Sequence, residues 1–328
     1  MNQLNKQLAP TSWSNDKVPI GISACLTGAE VRYNGGHSRS SFCMNDLAEY
    51  FEYQTFCPEV QAGFGTPRPT LRLEGDPEKP RLCYTQTHED VTAQFQEAVT
   101  PCLSRFDNIS GYILMKNSPS CGLERIKVYQ DNGYAHEIKR EGLFTEALMA
   151  RYPELPVEES GRLCDQGLRE NFILRVFAHH RFRQLVDNNL SYANIMAFHS
   201  EYKYTLMAHS QREYKALGRL VAEGKQRDLM AMRDEYFARF MAAIKKPASR
   251  GNHANVLLHL LGYLKRSVAS EHRQRIVDVI AQYRDGEVNL ATPLALLNHY
   301  LEFYGSDYVR MQRYLEPYPP NLGLRNYV

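Results

Sequence analysis

Short apolar runs alternate with amphipathic stretches over the first half of the chain, and beyond residue 162 nearly all apolar residues fall at three- and four-residue spacing. Val18–Ser23, rich in β-branched residues and followed by a glycine-bearing turn, predicts a strand. Residues 41–51 place Met44, Leu47, Ala48 and Phe51 on one helical face, with a serine to cap them. Residues 53–56 predict a short strand. Residues 87–106 predict a helix opened by Thr87 and Asp90 as an approximate capping box. Residues 111–115 give a third strand and Ile126–Tyr129 a fourth. Strands alternating with helices imply an α/β domain with a parallel or mostly parallel sheet. Residues 63–80, with prolines at 67, 69, 77 and 80, read as an irregular excursion, and a loop of that length suits a lid or binding loop.

The second half predicts helices over 168–185, 191–207, 212–223, 228–244, 254–266 and 271–283, each with one apolar face. The expected organisation is therefore a polar N-terminal extension (1–17), an α/β domain (18–162) and an all-helical domain (163–328). A chain of 328 residues is long enough for two cores.

The composition, 43% hydrophobic and 23% charged, is that of a globular protein, and no apolar run approaches the roughly 20 residues that span a bilayer. The first 17 residues lack the apolar stretch of a signal peptide, so a cytoplasmic location without membrane attachment is expected. Seven cysteines there read as thiols or metal ligands rather than disulfides. The net charge of +2 conceals an asymmetry. Residues 1–165 carry 16 Lys and Arg against 22 Asp and Glu, whereas residues 166–328 carry 23 against 15. A basic second half fits an anionic partner, nucleotide or nucleic acid, and equally fits a solvated helical surface.

Three cysteines stand directly after predicted strands: Cys25 in Ser23-Ala24-Cys25-Leu26-Thr27-Gly28, Cys57 in Phe56-Cys57-Pro58-Glu59, and Cys121 in Ser118-Pro119-Ser120-Cys121-Gly122. The carboxyl ends of parallel strands open into one crevice, so these thiols are expected to meet. No Cys-x-x-Cys pair exists, which excludes zinc ribbons and the common ferredoxin arrangements. Three soft ligands with a vacant fourth position suit a 4Fe–4S cluster whose unique iron binds substrate. Two alternatives stay open: three small buried hydrophobes, or a catalytic Cys25 served by His37 or His88. Cys43, Cys83, Cys102 and Cys164 read as ordinary buried thiols.

These motifs, together with Val31-Arg32-Tyr33-Asn34-Gly35-Gly36, Thr66-Pro67-Arg68-Pro69 and Lys116-Asn117 ahead of Ser118, resemble the thiouracil desulfidases of the TudS type over about 140 residues. The helical half, with His179-His180-Arg181-Phe182 and Tyr314-Leu315-Glu316-Pro317-Tyr318-Pro319, resembles the YbgA-type domain often fused to them, whose biochemical role the resemblance does not supply. The resemblance implies that Cys25, Cys57 and Cys121 bind a 4Fe–4S cluster that removes sulfur from thiolated uracil without net redox change. A thiolated pyrimidine or its nucleotide, such as 4-thiouridine monophosphate, would be the small-molecule substrate. Glu59 is the candidate general acid/base, or positions the water, against the alternative of a carboxylate capping the next turn. Ser118 and Ser120 are candidate donors to pyrimidine or cluster, or stabilise the loop around Pro119. Tyr33, Asn34, Gly35, Arg68 and Lys116 are candidates for substrate binding. Among them Asn34 and Gly35, with Gly36, offer backbone N–H groups that either meet a phosphate or form a tight turn, and Arg32, Arg68 and Lys116 offer cations. Thr27 replaces an aliphatic residue usual in the family, and Phe64-Gly65 replaces Leu-Pro; the second change bears on the pocket wall.

The helical half has basic clusters interleaved with aromatics at 179–183, 202–204 and 245–253, with His259, Tyr263 and Lys265 following. That composition suits RNA contact through charge and stacking, and it also describes the solvated face of a helix bundle. A nucleic-acid-binding protein with a structural cluster therefore stands as the rival to the enzyme. Oligomeric state is not legible.

Overall fold

The computed structural model describes residues 16–327. Of the expected N-terminal extension, residues 1–15 lie outside the described residues. The described chain divides into two compact units, residues 16–164 and 165–327.

The first unit is α/β. Its strands are β1 (Val18–Ser23), β2 (Phe51–Phe56), β3 (Leu71–Glu74), β4 (Arg81–Tyr84), β5 (Tyr112–Leu114), β6 (Ile126–Tyr129), β7 (Ala135–Arg140) and β8 (Val157–Glu159). They form two four-stranded sheets. The first has order β2-β1-β5-β8 and is parallel throughout; the second has order β4-β3-β6-β7 and contains one parallel pair, β3 with β6. Being buried on both faces, β1 reads as a near-continuous apolar run. Gly21 lies under the buried ring of Tyr112, and a Cβ there would stand 2.2 Å from the ring. Edge-on contacts of Phe56, Tyr112 and Phe144 with Phe106 and with one another fill the core beneath the sheet.

Several sequence expectations are corrected here. The proline-rich stretch 63–80 is not wholly irregular: Leu71 and Leu73 alternate with polar residues and form β3, which turns through Asp76 and Lys79 into β4. Strand β6 joins this second sheet rather than the main one. The helix expected from residue 87 begins at Thr92, because Glu89 and Val91 pair back onto Tyr84 and Leu82. Residues 41–51 hold one wide turn, Phe42–Leu47, before β2 begins at Phe51.

The second unit is helical: Gln166–Phe182, Tyr192–His209, Gln211–Glu223, Leu229–Ala243, Arg250–Leu261 and Ser270–Asp285. Ala291–Tyr304 adds a helix that the periodicity reading omitted; Pro293 sits in its first turn, where proline is tolerated. Side chains of Asp165, Ser191, Ser210, Asp228 and Ser249 each accept a backbone N–H at a helix start, and Gly286 ends Ser270–Asp285 in the left-handed conformation at φ 90°. His179 packs against Phe237, and His199 shares a 3.1 Å hydrogen bond with the Tyr236 hydroxyl.

Two predictions follow from this packing. Gly21→Ala overpacks against Tyr112 and is expected to lower unfolding free energy by about 1–3 kcal/mol, measured by urea denaturation; an unchanged midpoint would show that the ring yields. Burial pushes His179 down to about 3 and His199 down to about 4. The unfolded chain then binds more protons below its own histidine pKa of about 6.5, so stability is complete above that pH and falls as the medium is acidified towards 4. Moving from pH 7.5 to 5.5 is expected to cost roughly 1 kcal/mol per histidine, seen as a lower thermal midpoint of the helical circular dichroism. A midpoint that does not move would contradict the neutral burial of these rings.

Candidate functional site

Parallel pairing brings the ends of β2, β1 and β5 to one edge of the sheet, with Ser23 opposite Phe56 and Ile22 opposite Ile113. After Ser23 the chain makes a single tight turn, Ala24–Thr27, closed by Gly28 at φ 103°. Ser38 and Ser40 donate backbone N–H groups to the carbonyls of Cys25 and Leu26, fixing that turn from outside. After β2, Cys57 caps a one-turn helix, Pro58–Gln61, whose first position is a proline already set for helical φ. After β5, the Met115 N–H donates to the Ser23 hydroxyl at 3.0 Å, tying the third strand end to the first. The loop to Cys121 is shaped by Ser118, whose hydroxyl accepts the N–H groups of Ser120 (3.2 Å) and Cys121 (3.1 Å). Gly142 lies so close that a Cβ would stand 2.5 Å from the Ser120 carbonyl, and Thr145 donates to the Cys121 carbonyl at 2.9 Å.

Cys25, Cys57 and Cys121 consequently line one cavity of about 170 Å³. All three thiols are free, and Cys43, Cys83, Cys102 and Cys164 do not line it. Burial pushes the Cys25 thiol up to about 11, and it raises Cys57 as well. Cys121 is raised well above the ordinary thiol range, first by burial and then by the charges of Cys57, Glu59 and Cys25. Arg32 opposes the shift at Cys25, Arg68 at Cys57, and the Ser23 hydroxyl at Cys121. Three thiolates so placed repel one another and need a multivalent cation to lose their protons together. Three soft thiol donors at one cavity, with no histidine among its lining residues, are the donor chemistry that suits an iron–sulfur group. No histidine lines the cavity, His88 binds Glu74, and the His37 ring accepts the Arg39 N–H. The raised Cys25 thiol is the reverse of an activated nucleophile.

Glu59 faces the same cavity from the first turn after Cys57. Arg68 donates to Glu59 Oε2 through Nε (2.8 Å) and through Nη2, while Ser120 (2.8 Å) and Ser118 (3.4 Å) donate to Oε1. Every partner is a donor, which is the environment of a carboxylate. Arg68 is buried and spends Nη1 on the carbonyls of Val31 and Gly65, so its guanidinium orients Glu59 and holds the 31–33 turn. Ser118 lines the cavity; Ser120 lies behind it, fully buried.

Tyr33 and Lys116 reach the cavity as well, with Lys116 exposed. Asn34 and Gly35 do not line it. Gly35 donates its N–H to Arg32, and the Asn34 side chain accepts the Gly36 N–H, so the turn consumes the donors expected for phosphate. Ser23 is the site residue that sequence reading missed; nothing distinguishes a strand-end serine until Met115 and Cys121 are placed beside it.

In the helical unit, two of the three clusters expected to offer a basic aromatic surface, 179–183 and 202–204, are largely internal. His179 and Tyr202 are buried, and Arg181 pairs with buried Glu201 at 2.6 Å. Lys203 stands over the rings of Tyr204, Tyr214 and Tyr308. The third cluster is mostly exposed: Lys245, Lys246, Arg250, His259, Tyr263 and Lys265 lie at the surface, and His253 is buried.

A parallel sheet whose strand ends present three thiols and a carboxylate to one cavity, with a helical unit following in the chain, defines a two-part protein with an α/β site-bearing unit. The model of the 2-thiouracil desulfurase family matches residues 20–160, and that of a protein family of unknown function, DUF1722, matches residues 203–319. The uncharacterized protein YbgA of Escherichia coli (strain K12) is 34% identical over 162 residues, covering 49% of this chain and 96% of that protein. The uncharacterized protein YbbK of Bacillus subtilis (strain 168) is 37% identical over 110 residues, covering 31% of this chain and 72% of that protein. A solved structure, described as the 4Fe-4S-dependent thiouracil desulfidase TudS, shares 32% identity, 45% of this chain and 94% of its own, with a TM-score of 0.36. The chain belongs to the 2-thiouracil desulfurase family through its first unit and to the DUF1722 family, with YbgA, through its second.

The buried Glu59–Arg68 pair yields a test. Arg68→Met leaves an uncompensated carboxylate and is expected to destabilise the chain by about 3–5 kcal/mol in urea denaturation. The double variant Glu59→Leu, Arg68→Met is expected to recover much of that loss, and equal destabilisation by both would show that the pair's charge is not what matters.

Proposed function

We propose that this protein is a non-redox desulfidase that converts thiolated uracil, or its nucleotide, to the oxygen form and releases sulfide. The observation that carries the reading is the meeting of Cys25, Cys57, Cys121 and Glu59 in one cavity. Membership of the 2-thiouracil desulfurase family supports the reaction type. The three cysteines would hold a 4Fe–4S cluster, leaving one iron without a protein ligand; bound there, the cluster supplies a Lewis-acidic position for the substrate's sulfur.

The balance of the reaction is simple. A thiocarbonyl and one water become a carbonyl and hydrogen sulfide, and no electron is transferred. The oxygen bonds to the ring carbon as the carbon–sulfur bond breaks, and both protons of the water leave with the sulfur. A base must therefore take a proton from the water and return one. Glu59 has that role: its carboxylate faces the cavity and already accepts from Ser118, Ser120 and Arg68. Ser118, Ser120 and Arg68 are positioning residues that fix the carboxylate's direction. Tyr33 supplies a partly exposed ring at the cavity wall for the pyrimidine, and Lys116 a cation at the mouth. Free thiols and such a cluster suit a reducing compartment, so we place the protein in the cytoplasm.

The test is iron and acid-labile sulfide content on protein purified without oxygen, with sulfide release from 4-thiouracil and 4-thiouridine monophosphate. About four irons per chain are expected. Cys25→Ala, Cys57→Ala and Cys121→Ala should each lose cluster and turnover together. Glu59→Gln should keep iron while losing about 100-fold or more in kcat. A chain that takes up no iron on reconstitution would overturn the reading.

A further inference from the structure

Tyr112 opens β5 opposite Gly21 of β1, and its side chain is fully buried. Its ring meets those of Phe106 and Phe144 edge-on, each at 5.4 Å between centroids, and covers the place where a Gly21 Cβ would stand. Held by these contacts, the ring cannot swing its hydroxyl towards a distant acceptor. Among the described residues that hydroxyl has no hydrogen-bond partner. A buried, unpaired hydroxyl costs free energy, and phenylalanine would fill the same space without that cost. The oxygen therefore calls for an acceptor that the polypeptide itself does not provide. Its surroundings say which. The phenol is pushed well above its ordinary value, first by burial and then by the charges of Cys121, Cys57 and Cys25. It feels all three thiols without lining their cavity, so it stands behind the cavity wall. Phe56 joins the two places, lining the cavity and packing on Phe106 and Phe144, the rings that hold Tyr112. None of the three cysteine sulfurs is itself the partner, which leaves an acceptor seated among them.

We propose that the Tyr112 hydroxyl donates a hydrogen bond to a sulfur of the 4Fe–4S cluster that Cys25, Cys57 and Cys121 would hold, supporting the cluster from behind the cavity wall. The inference rests on the cluster reading and adds to it a residue that is neither a ligand nor part of the cavity lining. Sulfurs of an iron–sulfur cluster carry negative charge and accept hydrogen bonds, and such bonds from outside the ligand set tune both potential and metal retention. The phenol is fitted to this task. Burial and the neighbouring charges oppose its ionisation, so it keeps its proton and stays a donor. It also complements Ser23, whose hydroxyl faces Cys121 while accepting the Met115 N–H. A donor to sulfur stabilises the more negative, reduced state of a cluster, so its removal lowers the reduction potential.

The experiment compares the full wild-type chain with Tyr112→Phe, which deletes the oxygen and keeps the ring, before and after anaerobic reconstitution with iron and sulfide. Without iron, the variant is expected to unfold at the same urea concentration as wild type or at a higher one, because the unpaired hydroxyl is gone. With iron bound, it is expected to lose iron to a chelator roughly 10-fold faster than wild type. Its cluster is expected to have the lower reduction potential, read by a titration followed in the visible spectrum. An unchanged potential together with an unchanged rate of iron loss would overturn the proposal and leave the cluster reading standing. Equal destabilisation of the variant with and without iron, the mark of packing or a buried water alone, would overturn it as well. A wild-type chain that takes up no iron would overturn the cluster reading and this proposal with it.

Discussion

The backbone hydrogen bonds that lock β1 between β2 and β5 hold three strand ends at one edge, and everything proposed for the site depends on that alignment. Parallel pairing gives the three segments a common direction, so residues far apart in the chain leave the sheet into the same crevice. The tie from Met115 to Ser23 adds a side-chain lock at the place where the strands stop. Strand pairing places the residues only coarsely. The tight turn at Gly28, the proline after Cys57 and the Ser118-centred turn before Cys121 then aim the three thiols.

Electrostatics explains why these thiols suit a cluster better than catalysis by sulfur. Burial and mutual repulsion hold them protonated, which is wasteful for a nucleophile and appropriate for ligands that surrender protons to a polynuclear cation. The carboxylate beside them is treated in the opposite manner. Arg68, Ser118 and Ser120 surround Glu59 with donors, keeping one acceptor group fixed at the cavity wall. A single buried arginine therefore does two things at once. It orients the carboxylate, and it holds the carbonyl of Val31 in the turn next to Tyr33.

The helical unit keeps two of its three basic aromatic clusters largely inside and leaves the third at the surface. Histidines that looked like surface groups are packed among rings and carry no charge at neutral pH. A histidine in the midst of apolar residues at helical spacing is a core residue more readily than a ligand, and here the burial of His179 and the Arg181–Glu201 pair place these residues in the core.

Periodicity revealed the division into α/β and helical parts, and the position of three cysteines after three strands pointed to a shared site, because strand direction and side-chain spacing are local properties that a parallel sheet turns into proximity. The helical unit was legible for the same reason. The second sheet was not legible, because four prolines mask the alternation of Leu71 and Leu73 and their pairing to β6 spans more than fifty residues. Nor was the fate of Arg68, which looks like any other cation in a sequence until burial and the reach of Glu59 decide that its charge is already neutralised.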